Sequence, residues 1–149
     1  MAAIATASFR GGNTAGLLAK VATGLFEGVS TAAKLVEGEA ISRCPVDTGA
    51  LVSSITSEVT RGIQNAGNDR SLARSLFSVS AIVAPHTEYA AYVEYGTGQR
   101  GAASAGAGPG PYSATWKGMA AQPYMRPALD NNRTAAEEAI KSAVRDALS

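Results

Sequence analysis

What this chain lacks narrows its chemistry before any motif is considered. Its 149 residues include one cysteine, Cys44, and one histidine, His86. A single thiol excludes an intramolecular disulfide and fits a reducing compartment better than secretion. A single imidazole excludes a metal site built from several histidines. Aromatic residues make up only 6% of the chain, so any core must be assembled from small and aliphatic side chains. No apolar run approaches the ~18 to 20 residues that cross a bilayer. Residues 1–12 also lack the basic segment and apolar block of a secretion signal, so the reading is a soluble, unprocessed chain with no membrane partner. An excess of either charge is missing too. Thirteen Lys and Arg against twelve Asp and Glu leave a formal charge of +1, which gives no electrostatic footprint for gripping a nucleic-acid backbone or an anionic surface.

What is present is the 46% apolar content of a packed core, in a length suited to one domain spanning 1–149. A core of small residues buries modest area per residue. Since burial contributes about 25 cal/mol per Å², such a chain gains from neighbours that cover its faces, which points to an oligomer.

Periodicity supplies the elements. From Thr14 to Arg43, residues Leu18, Val21, Leu25, Val29, Ala32, Val36 and Ala40 fall at spacings of three and four, one stripe of a helix. Asn13 or Thr14 is the candidate N-cap, and Pro45 ends the element. Gly16, Gly24, Gly28 and Gly38 weaken that helix by about 1 kcal/mol each, so its order must come from packing, and small residues admit a close neighbouring backbone. Asp47 to Leu51 reads as a helical turn capped by the Asp47 carboxylate. Ile55 to Ile63 and Leu76 to Ala84 alternate as two antiparallel strands joined by a solvated connection. Thr87 is placed to cap a short helix over Glu88 to Tyr95, closed by Gly96, with Tyr89, Tyr92 and Val93 on one face. Pro127 to Leu148 returns to helical spacing, with a proline suited to the first turn.

Two segments read as flexible: an N-terminal arm, 1–12, and a Gly/Ala-rich loop, 97–121, whose composition cannot offset the entropy of ordering. Its large residues Tyr112, Trp116 and Met119, with Tyr124 and Arg126 just beyond, are the candidate subunit-interface residues. The fold class is α+β: long N- and C-terminal helices on a small antiparallel sheet, with a long loop.

Reactive readings are weak. Cys44 and His86 form the sole possible nucleophile–base pair, and the plainer reading is a buried small hydrophobe and a loop residue. Asp47-Thr48-Gly49 shares three residues with aspartic proteases, but its flanks indicate a helix cap rather than apolar strands. The glycine-rich loop lacks the Gly-Lys-Ser/Thr of a phosphate cradle. Glu94 and Arg126 are a candidate ion pair, with a solvated glutamate and a surface arginine as the alternative. Arg100, Lys117 and Arg126 are candidates to line a DNA passage. No catalytic, cofactor or metal residue is assigned.

Two blocks go beyond periodicity. Cys44-Pro45-Val46-Asp47-Thr48-Gly49-Ala50-Leu51, followed by Ser53-Ser54-Ile55, resembles a signature of small phage neck and minor tail components, the tail-completion or head–tail joining proteins of long-tailed phages. Tyr89-Ala90-Ala91-Tyr92-Val93-Glu94-Tyr95-Gly96-Thr97 and then Ala121-Gln122-Pro123-Tyr124-Met125-Arg126-Pro127-Ala128-Leu129 are similar to that family's second and third blocks, in the same order. The resemblance spans about Leu17 to Leu148. It marks Pro45, Asp47, Thr48, Gly49, Tyr92, Glu94, Gly96 and Pro127 as motif positions. The chain departs from the pattern at Val52, where a basic residue is frequent, and in its longer Gly/Ala-rich stretch. The resemblance implies a non-enzymatic virion protein, assembled in the host cytoplasm. It further implies a hexameric or dodecameric ring between the connector or stopper and the tail tube, with DNA passing through without sequence-specific contact. The rival readings from other classes are a sequence-tolerant DNA-binding module and a small hydrolase using Cys44 or Asp47.

Overall fold

The computed structural model describes residues 2–7, 15–47, 49–65, 75–98 and 117–149. Its elements in chain order are β1 (Ala2–Ala7), α1 (Ala15–Arg43), α2 (Ala50–Ser54), β2 (Ile55–Asn65), β3 (Ser75–Pro85), α3 (Ala90–Tyr95) and α4 (Met125–Leu148). This is the α+β arrangement of two long helices with a small antiparallel sheet. The helix spacing in α1 is borne out: Val21, Leu25, Val29, Ala32, Val36 and Ala40 are all buried, because residues three and four apart share one face of a helix. Its proposed N-caps, Asn13 and Thr14, lie outside the described residues.

The chain divides into two compact units, 1–36 with 57–83 and 132–149, and 37–56 with 84–131. In the first, the strands lie in the order β1-β3-β2. Strands β1 and β3 are antiparallel, with Ala3 opposite Ala81 and Ala5 opposite Val79. Val79, Ala81 and Val83 are buried while Ile82 is exposed, the alternation expected of a sheet with one face on a core and one in water. The third strand corrects the sequence reading, which assigned 1–12 to a flexible arm. A run of mostly alanine carries no strong strand signal, yet pairing with β3 satisfies main-chain groups that would otherwise stand open at a sheet edge.

In the same unit α1 and α4 pack backbone to backbone. A Cβ on Gly28 would stand 2.6 Å from the Ile140 Cα, and one on Gly24 2.7 Å from the Ala143 carbonyl oxygen. These glycines are contact points that only a hydrogen atom fits. Gly16 and Gly38 have nothing within 4 Å among the described residues and make no such contact there. The apolar positions of α4 toward its end, Ile140, Ala143, Val144 and Ala147, are half-buried.

Two cap assignments are corrected. The N-cap of α2 is Gly49, at φ 77° and without a side-chain cap, rather than a turn capped by Asp47. Helix α3 begins at Ala90 after Tyr89, again with no side-chain cap. The Thr87 hydroxyl is buried with no hydrogen-bond partner among the described residues, and it is the Thr87 carbonyl that accepts from Ala90 N–H at 3.2 Å. Sequence signals for caps identify a polar side chain near a helix start, but whether its oxygen reaches the free N–H groups depends on a local backbone bend that the signal does not contain.

Candidate functional site

The second unit is organised around one carboxylate. Glu94 shares the inward face of α3 with Ala90, four residues earlier, and both are buried. Its Oε2 accepts from the backbone N–H of Tyr124 at 2.8 Å and of Met125 at 2.9 Å, and its Oε1 accepts from Arg126 N–H at 3.0 Å. These are the N–H groups that the start of α4 leaves without intrahelical partners. The next residue, Pro127, has no N–H to satisfy, and the helical ladder begins with Ala128 N–H to the Tyr124 carbonyl at 3.3 Å. Every main-chain donor at the head of α4 is thus accounted for by one side chain thirty or so positions away in sequence, and a negative charge there suits the positive end of the helix dipole. The candidate Glu94–Arg126 link does join the two blocks, but through Arg126's main chain; its side chain is exposed.

Short backbone bonds fix the rest. Gln122 N–H donates to the Val93 carbonyl at 2.8 Å and Thr97 N–H to the Met119 carbonyl at 2.8 Å. Met119 N–H returns to the Thr97 hydroxyl at 3.0 Å. Gly96 (φ 71°) and Gly118 (φ 65°) allow the chain to turn at either side of this pairing. The two ends of the stretch read from sequence as a flexible loop, 97–98 and 117–121, are therefore held; Tyr112 and Trp116 lie outside the described residues, as does Thr48.

The segments pinned in this way border an open groove of about 640 Å³, lined among others by Val46, Leu51, Tyr89, Tyr92, Val93 and Met119. Tyr89, Tyr92 and Val93 do share a face, and it is the one turned to the groove. The exposure of its apolar rim is large: Val46 is 75% exposed, Tyr92 47% and Tyr89 42%. Among the described lining residues Asp47 is the one that carries charge, and Gln122 adds an amide. Among the described lining residues there is no Lys or Arg.

Of the residues expected at a subunit interface, Met119 lines the groove and Arg126 is exposed. Tyr124 is not available: its side chain is fully buried. Its hydroxyl has no protein partner among the described residues. Burial, followed by the proximity of Cys44, Glu94 and Tyr89, pushes its phenol up to about 12. Its side chain is packing rather than surface. Sequence gave no hint of this, since a tyrosine after a proline has the same composition whether it faces in or out.

The arrangement does not assemble the nucleophilic pair. The Cys44 sulfur lies 3.8 Å from the Pro45 carbonyl oxygen, and burial pushes its thiol up, away from the reactive thiolate. The His86 Nε2 is 2.8 Å from the Thr56 hydroxyl. Among the described residues no cluster of His, Cys, Asp and Glu is placed to hold a metal ion, and no helix is long and apolar enough to cross a membrane.

Comparison with known families agrees with this picture. Residues 27–96 match the family model described as "Bacteriophage HK97-gp10, putative tail-component". The match is to a phage tail-component family. It is the class of protein that the Cys44–Ile55 and Tyr89–Thr97 blocks resemble; the matched stretch covers the first and all of the second but Thr97. The third block, Ala121 to Leu129, lies beyond the matched stretch, yet Glu94 binds it directly. No curated protein and no solved structure matches the chain.

Proposed function

We propose that the chain is a structural subunit of the phage head–tail junction or tail terminus, working as a homo-oligomeric ring of six or twelve copies that joins the tail tube to the head connector. The observation that carries this reading is the groove. Its walls are pinned by Glu94 and the Thr97–Met119 pairing, while its rim leaves Val46, Tyr89 and Tyr92 in water. A rigid, aromatic, largely uncharged concavity is suited to a protein surface, and aromatic side chains contribute large contact area there. The partners are the connector or stopper and the tail tube. DNA passes through the lumen without sequence-specific contact, which the near-neutral charge supports. The protein acts in the virion after assembly in the host cytoplasm.

The experiment is assembly with groove variants. A chain carrying Val46→Asp and Tyr92→Ala should melt within a few degrees of the unchanged protein, because both side chains are exposed. It should fail to join tails to heads in a complementation assay, and native mass spectrometry should lose the ring. Efficient particle formation by this double variant removes the groove from the mechanism. A density down the tail axis with neither sixfold nor twelvefold symmetry at this subunit removes the ring.

A further inference from the structure

We draw no further inference here: the strongest candidate, the apolar groove of the second unit lined by Val46, Asp47, Tyr89 and Tyr92, belongs to the site already described, and nothing in the structure shows what covers it.

Discussion

Removing the Glu94 carboxylate is the most direct challenge to the account of the site. Glu94→Ala strands the N–H groups of Tyr124, Met125 and Arg126. An unpaired buried donor costs about 1–3 kcal/mol, but the three are not equally buried. Tyr124 is fully buried, Met125 half-buried and Arg126 exposed, so water recovers part of the loss for the later two. The expected destabilisation is about 2–4 kcal/mol, near 5–15 °C in melting temperature for a chain of this size. Glu94→Gln separates charge from geometry. Because Oε2 accepts two of the three bonds, an amide oxygen there retains them and sacrifices the third with the charge assistance, for about 1–2 kcal/mol. Urea denaturation followed by circular dichroism gives the totals. Hydrogen exchange shows whether the amides of 124–126 lose protection first. Equal losses for the two variants, or less than about 1 kcal/mol for alanine, refute the assignment of Glu94 as the residue that holds the start of α4.

Other outcomes follow from the same packing. Gly28→Ala should destabilise by about 1–3 kcal/mol despite alanine's better helix propensity, whereas Gly38→Ala, with open space around it, should stabilise by about 0.5–1 kcal/mol; thermal melts of the two variants check the opposite signs. Tyr124→Phe should be neutral or slightly stabilising at neutral pH, since it deletes a buried hydroxyl with no protein partner among the described residues and keeps the ring. At high pH the unchanged protein should behave differently from that variant. The folded state disfavours the phenolate up to about 12, while the unfolded chain ionises near ~10. Stability should therefore fall as pH rises between these values and level off above them. Denaturation midpoints measured across that window should fall less in Tyr124→Phe.

The legible part of the fold was the part carried by side-chain spacing. The α1 stripe, the strands β2 and β3 and the late apolar positions of α4 repeat with the period of their elements, so burial followed pattern. Strand β1 was illegible because its pairing is made by main-chain groups, and those are the same on an alanine as on any residue. The blocks around Pro45, Tyr92 and Pro127 were visible as motifs, and Glu94 and Arg126 were recognised as linked candidates. The chemistry of the link was misjudged, since charge suggested a side-chain pair where the backbone of α4 was the stronger claimant.

The amino-acid order by itself determined the helical segments and the strands β2 and β3, though not β1, and that one cysteine and one histidine leave little reactive machinery. The tertiary structure alone decided that Glu94 is spent on a helix start, that Tyr124 is fully buried instead of exposed, and that Gly24 and Gly28 are contact points while Gly16 and Gly38 meet nothing among the described residues. The reason is physical. Local periodicity acts through neighbours a few residues apart, whereas the satisfaction of buried donors and the exclusion of a Cβ depend on which distant segment arrives there.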